Sequence, residues 1–451
     1  MATKAKKPAR KKAVKAPKIA NEVLLPEPVV EPVQETVEIA ASPDPVAKAA
    51  PKLKSLAAEL AVPRDIKAYQ LALCFVGSSD HRLFGLSCQD RLRRQFAKGG
   101  LTEEISQEAL AGHRGPVLLV RSDAVIDQPL IDVLLKKPNL ALTTEESAGE
   151  TMGRKIVAAN LRADDAMAFA SAVENNASFK RFGVVNRAPG ELEANFWKAL
   201  RKRETPYALV VSAENLEASE WRMFMGTYKG ATDLVTKHVW PRPAFAVTRW
   251  LAPRGITPNM VTTVGAIMTV LAFVLFLYGQ FAWGLAAAWA MTFLDTVDGK
   301  LARTTLTSSK WGDVFDHGID LAHPPFWYAA WALGLSAWGI SWSATLFWWI
   351  LAVILGGYVV QRLMEGISIK WLGLEIHIWR RIDTYFRQIT ARRNPNLILL
   401  TIGLLAGKPD WGLIAVAAWT AICLVLHGAQ LMQALATKNK TGPLESWMTK
   451  P

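Results

Sequence analysis

Four aspartates in the stretch FLDTVDGKLARTTLTSSKWGDVFDHGIDLAH (293–323) are the residues of this chain best placed to do chemistry. Asp295 and Asp298 are three apart and Asp316 and Asp320 four apart, so each pair falls on one face of a helix. The polar segment TTLTSSKWG between them is long enough to turn the chain and set the second helix against the first. Four carboxylates brought together in an apolar setting repel one another and pay for desolvation unless cations neutralise them. An all-oxygen ligand set favours Mg2+ or Mn2+ over zinc. A carboxylate-held pair of such ions suits transfer of a phosphoryl-type group, because it neutralises a diphosphate and steadies the leaving oxygen. Gly299 and Gly312 would let the backbone approach a nucleotide closely, and Arg303, one turn beyond Gly299, would reach a phosphate. The competing reading pairs the aspartates with Lys300, Arg303 and Lys310 at a helix end. It accounts for one or two aspartates more easily than for four. Asp313 reads as a solvated loop carboxylate.

Helices must position these groups, and the composition says where the helices lie. With 51% hydrophobic and 20% charged residues, the chain is too apolar for a purely soluble protein and too charged for a purely membrane one. The long apolar runs concentrate after residue 256, in six segments at about 260–278, 281–303, 316–338, 342–361, 394–406 and 411–435. The first is long enough to span a bilayer. The second has a 14-residue, largely apolar stretch before Asp295, so its polar end continues as helix at the membrane boundary. Trp338, Trp342 and Trp411 at segment ends fit an interfacial belt. One set of loops carries a single basic residue, Lys408, whereas the opposite set is rich in Lys and Arg. The positive-inside rule then predicts six spans with both termini and the aspartates on the cytoplasmic side. His323-Pro324-Pro325 reads as a kink in the third span. His317, between Asp316 and Asp320, reads either as a substrate contact or as a position without a role.

The rest of the chain divides by charge and pattern. Residues 1–20 carry eight Lys/Arg and no acid, residues 21–255 are nearly balanced at +1, and residues 256–451 carry +4 of the +13 total. The high charge is thus mostly a tail property, and no aromatic residue interleaves the tail lysines, which argues against nucleic-acid binding. Residues 1–63, free of aromatics, read as a disordered basic and Pro/Ala-rich tail, either drawn to anionic lipid or simply solvated. Residues 64–235 alternate short apolar runs (68–77, 115–126, 139–144, 182–186, 207–212) with helical patterns, the signature of an α/β domain on a largely parallel, Rossmann-type sheet. Residues 236–255 read as an amphipathic juxtamembrane linker and 437–451 as a cytoplasmic tail. Three scattered cysteines, Cys74, Cys88 and Cys423, exclude a disulfide framework and a cysteine-rich zinc site.

The pattern Asp-x2-Asp-Gly-x2-Ala-Arg-x8-Gly-x3-Asp-x3-Asp is met without a gap by Asp295, Asp298, Gly299, Ala302, Arg303, Gly312, Asp316 and Asp320. It resembles the signature of the CDP-alcohol phosphatidyltransferase family. Ile256-Thr257-Pro258-Asn259 resembles that family's approach to its first membrane helix, so the likeness covers about 256–436. The resemblance implies a six-helix transmembrane bundle with a two-metal site. Asp295, Asp298, Asp316 and Asp320 would ligate Mg2+ or Mn2+, and Asp320 would also be general base on the acceptor hydroxyl. Asp295, Gly299, Ala302, Arg303 and Gly312 would hold the CDP part of the donor. It further implies a CDP-linked lipid or alcohol as donor, a polar alcohol as acceptor, release of CMP, contact with membrane lipids and a homodimer. The expected location is the inner membrane of a bacterium.

The acceptor is addressed by the basic loop 366–394, where Arg380, Arg381, Arg387, Arg392 and Arg393 are candidates to bind an inositol phosphate; they equally fit a positive-inside loop touching anionic lipid. Segments 76–96, 117–134 and 228–235 resemble, in order, a nucleotidyltransferase domain, with Asp123 at the place of a metal-binding aspartate. Its glycine-rich loop is reduced to Gly77, and Arg91, Arg93 or Arg94 are uncertain substitutes for the expected lysine, which favours a domain that has lost catalysis. Three functions stay in view. One is a phospholipid synthase using CDP-diacylglycerol; another takes a CDP-polar alcohol such as CDP-inositol; the third is a membrane scaffold or transporter whose aspartates bind ions without turnover.

Overall fold

The computed structural model describes residues 70–145, 154–175, 183–192, 196–197 and 200–449. The tail expected over 1–63 lies outside the described residues. The first apolar runs form strands β1 (Ala72–Val76), β2 (Pro116–Arg121), β3 (Ala124–Ile126), β4 (Leu140–Thr143), β5 (Ile156–Arg162), β6 (Val185–Arg187) and β7 (Ala208–Val210). Five of them make one sheet in the order β1-β2-β5-β4-β6, and β7 pairs separately with β3. In β2, Val117 to Val120 are wholly buried, because helices cover both faces of the sheet.

The sheet is mixed, not largely parallel. β1–β2 and β4–β6 run parallel, but β5 lies antiparallel to both β2 and β4, with Val117 opposite Leu161 and Leu140 opposite Asn160. β5 is the strand that the sequence pattern does not announce: IVAANLR centres on two alanines and an asparagine, residues of low strand propensity. Its place in the centre of the sheet comes from tertiary packing. Helices α1 (Cys88–Lys98), α2 (Gln128–Lys136) and α3 (Ala163–Glu174) flank the sheet, followed by α4 (Leu216–Gly226), α5 (Leu234–His238) and α6 (Pro241–Leu251).

Six helical segments then follow: α7 (Pro258–Leu277), α8 (Phe281–Thr304), α9 (Lys310–Gly334), α10 (Ala344–Leu372), and, after the short α11 (Arg381–Phe386), α12 (Arg393–Leu405) and α13 (Pro409–Thr441). Three of them, α7, α10 and α13, are long and apolar enough to cross a membrane, with mean hydropathies of 2.4, 1.7 and 1.9. The others fall short for visible reasons. α8 and α9 carry the four aspartates, and α12 has 13 residues, where about 20 span a bilayer. α13 runs on to Thr441, into the segment expected as a tail.

α7 enters through Thr257, whose side chain caps Met260 N–H, and Pro258 at its first turn. The turn from α7 to α8 uses Gly279 at φ +70, where a Cβ would come within 2.8 Å of Ala337 and 2.9 Å of the Gly334 carbonyl. The bundle core sits beside this turn: Phe281 stacks on Trp331 with centroids 4.3 Å apart, next to buried Phe276 and Trp327. α9 continues through Pro324 and Pro325 as helix. Pro325 leaves the Leu321 carbonyl without its helical donor, and the Tyr358 hydroxyl of α10 donates to it at 2.8 Å.

The two parts share a core. Leu83, Phe84, Val125 and Phe224 of the α/β region pack with Val261 of α7 and Val297 and Leu301 of α8. Phe224 is its centre, wholly buried and edge-on to Phe245 and Tyr228 at 5.4 and 5.6 Å. Truncating it to alanine leaves a cavity between the parts and costs about 3–5 kcal/mol. The expected result for Phe224→Ala is a lower melting temperature in detergent together with new proteolytic cutting between residues 227 and 240. Unchanged melting and cutting would show that the joint does not depend on this core.

Candidate functional site

α8 and α9 bring three of the aspartates together. Oxygens of Asp295, Asp316 and Asp320 all lie within 4.8 Å of one another. Asp298, three residues from Asp295, turns toward α7. It is 3% exposed, accepts hydrogen bonds from the Thr262 hydroxyl at 2.6 Å and from Gly299 N–H at 2.5 Å, and shares a small void with Asp295 and Asp316. The donor set is all oxygen and strongly negative, which fits Mg2+ or Mn2+.

The cluster opens on a cavity of about 490 Å³. Gly299 and Arg303 line it beside the aspartates, and a Cβ on Gly299 would meet the Arg303 guanidinium at 2.9 Å. The bare glycine lets Arg303 lie along the helix and face the cavity. Gly299→Ala is therefore expected to displace Arg303 and raise the KM for a CDP-linked donor about tenfold, with little change in kcat; steady-state kinetics with varied donor check it, and an unchanged KM would remove Arg303 from donor binding.

The far wall is cationic. Arg393 bridges two of the cluster carboxylates, donating to Asp295 at 2.5 Å and also to Asp320. Arg392 and Arg362 pair with Glu365, which His377 meets at 3.1 Å. Burial, then Arg387 beside it, holds His377 down at about 3, so this contact is a hydrogen bond from a neutral ring. Arg387 is half-buried, and its Nε and one terminal nitrogen have no hydrogen-bond partner among the described residues. Burial lowers it to about 10, against the opposing pull of Asp233.

Of the residues expected from sequence, the structure gathers Asp295, Gly299, Arg303, Asp316, Asp320, Arg387, Arg392 and Arg393 around one cavity. Ala302 and Gly312 do not line it. Gly312 lies instead against Asn259, whose side-chain oxygen a Cβ would meet at 2.9 Å, so it joins α9 to the start of α7. Arg380 and Arg381 also point elsewhere. Arg380 is held by Asp383 and covers Trp379, and Arg381 lies over Trp447. His317 reaches the cavity, whereas His323 is buried against Trp327. Arg201, Tyr228, Lys229 and Arg362 also line the cavity; Tyr228 and Lys229 fall in the 228–235 segment and Arg362 lies within α10, but no local pattern marks any of the four as a site residue. In the α/β region, Asp123 is held by Arg121 at 2.8 Å, Arg91 donates to the Leu83 carbonyl, Arg93 pairs with Glu104, and Arg94 donates to the Thr305 carbonyl.

Comparison with known proteins finds similarity over the part of the chain that holds these aspartates. The CDP-alcohol phosphatidyltransferase family model matches residues 255–391. An archaetidylinositol phosphate synthase of Pyrococcus horikoshii is 40% identical over 80 residues, 18% of this chain and 42% of that protein. A phosphatidylinositol phosphate synthase of Streptomyces avermitilis is 32% identical over 93 residues, 20% of this chain and 36% of that protein. Cholinephosphotransferase 1 of Danio rerio is 34% identical over 91 residues, 17% of this chain and 24% of that protein. The chain thus spans under half the length of each of these relatives. With the gap-free aspartate pattern of α8 and α9 inside the matched residues, the C-terminal part of this chain carries a CDP-alcohol phosphatidyltransferase domain.

Proposed function

We propose that this chain is an integral-membrane CDP-alcohol phosphotransferase that makes a phospholipid. The observation that carries the reading is the meeting of Asp295, Asp316 and Asp320 within 4.8 Å, at a cavity that also holds Arg303 over a bare glycine and a wall of half-buried guanidiniums. The donor is CDP-diacylglycerol, its cytidine diphosphate held by Arg303 and the Gly299 backbone. Asp320 takes the proton of the acceptor hydroxyl. The acceptor oxygen bonds to the lipid-side phosphorus, the diphosphate bridge to CMP breaks, and CMP leaves with the bridging oxygen. Asp295, Asp298, Asp316 and Asp320 would hold two Mg2+ or Mn2+ ions, which when bound would neutralise the diphosphate and the leaving oxygen.

The cationic wall favours an acceptor that is itself anionic, such as inositol phosphate. Arg387 has unused donors, and Arg362 and Arg392 compete for one carboxylate, Glu365. A phosphate monoester would satisfy all three. In this reading α7 to α10, α12 and α13 make six spans, α8 and α9 ending at the cytoplasmic face, with both termini cytoplasmic and the protein a homodimer in a bacterial inner membrane.

The test is CMP release by detergent-purified protein with Mg2+, CDP-diacylglycerol and a panel of inositol phosphate, inositol, glycerol phosphate and serine. Release that depends on one acceptor and on the metal supports the reading and names the product. No release with any acceptor, or with CDP-inositol in place of CDP-diacylglycerol, would leave an ion-binding membrane scaffold.

A further inference from the structure

We propose that the α/β region supplies part of the substrate site: Lys229, with Arg201 beside it, binds phosphate oxygens of a substrate in the cavity over the aspartates. The inference rests on the transferase reading above and adds residues outside the matched family domain, which begins at residue 255.

The segment 228–234 is built to hold its place. Gly230 N–H donates to the Leu200 carbonyl at 2.9 Å, and a Cβ there would meet Lys202 at 2.7 Å, so only glycine lets the two stretches touch. The Tyr228 ring is buried and carries the Lys300 ammonium of α8 at 3.0 Å from its centroid. On the other side, Leu234 N–H donates to the Gln388 carbonyl at 2.9 Å, and Asp233 accepts from Asn394 at 2.9 Å. The backbone at Lys229 is therefore held from both sides, which keeps the root of its side chain at the cavity.

Its surroundings ask for an anion. The charged groups facing Lys229 are Arg201, Arg303, Asp295 and Asp316. Lys229 makes no ion pair or hydrogen bond with a described residue, although it lines the cavity. Burial, then Arg201 and Arg303, presses it below the ordinary lysine range. Arg201 is held at φ +47, the left-handed region that a non-glycine residue seldom adopts, and is anchored by Glu375 at 2.8 Å. A fold that keeps a partly buried lysine and a constrained arginine on the same cavity as Arg303 is arranged for phosphate oxygens. Those oxygens belong either to the donor diphosphate or to a phosphorylated acceptor.

The test uses the full chain in detergent with two probes, CDP and inorganic phosphate, read by calorimetry, so that binding is measured without turnover. Lys229→Gln is expected to raise the Kd of at least one probe about tenfold, the weight of one charge-assisted hydrogen bond, while Lys229→Arg stays within about threefold of the wild type. A loss confined to CDP assigns the lysine to the donor diphosphate; a loss confined to phosphate assigns it to the acceptor. In turnover the same split appears as a raised KM for one substrate with kcat nearly kept. Melting without ligand should match the wild type; were Lys229→Gln to fail to fold, Lys229→Met, which keeps the aliphatic stem, is read in the same way. Binding of both probes by Lys229→Gln as tight as by the wild type overturns the proposal, as does a wild type that binds neither. Failure of the transferase reading looks different: no CMP release, with probe binding still dependent on Lys229.

Discussion

Asp320→Asn is expected to lower CMP release by about 100- to 10,000-fold, the range that a positioned general base contributes. Asp320 is more open than Asp295: its side chain is 39% exposed, against 19%. A hydroxyl entering from the cationic side meets it first. The amide keeps the size of the side chain and an oxygen to accept from Arg393, so fold and donor binding should survive while proton acceptance is lost. Turnover at saturating acceptor, measured beside CDP binding on the same preparation, separates the two. A variant with near-normal turnover would take the base role from Asp320. Tight CDP binding with no turnover is the result the mechanism requires.

Asp298→Ala should be nearly as severe by another route. This carboxylate is buried and held by Thr262 and by Gly299 N–H, so it cannot rotate out to act as a base. Its service is to the cation. Removing it is expected to abolish CMP release at low Mg2+, with partial recovery at high Mg2+. Thr262→Ala, which removes only the hydrogen bond that orients the carboxylate, should cost about 10- to 100-fold in metal affinity. A Mg2+ titration of activity for both variants decides. Equal Mg2+ dependence in Asp298→Ala and wild type would leave Asp298 a structural group linking α8 to α7.

The paired aspartates were legible because helix geometry is local. Spacings of three and four put Asp295 with Asp298, and Asp316 with Asp320, on common faces in any helix. The finer division of labour was not legible. Asp295 and Asp298 share a face, yet one opens on the cavity and the other is taken by Thr262, because α7 packs on that side of α8. The basic loop shows the same limit. Arg380, Arg381, Arg387, Arg392 and Arg393 look alike in sequence; Asp383 and two tryptophans hold the first two, and the last three reach the cavity.

In the α/β region the strands rich in Val, Leu and Ile announce themselves, whereas β5, with its alanines, does not. Its antiparallel insertion turned an expected parallel sheet into a mixed one. Features that depend on near neighbours can be read from the residues in order: the helix faces of the aspartates, the apolar segments, and the glycine one turn before Arg303. Features that depend on distant segments meeting appear only in the packed chain. Arg393 crosses to Asp295 and Asp320, and Arg201 and Lys229 reach a cavity built mostly by helices that follow them. Such contacts are selected by shape and by charge compensation across the whole packed molecule, and no run of a few residues encodes them.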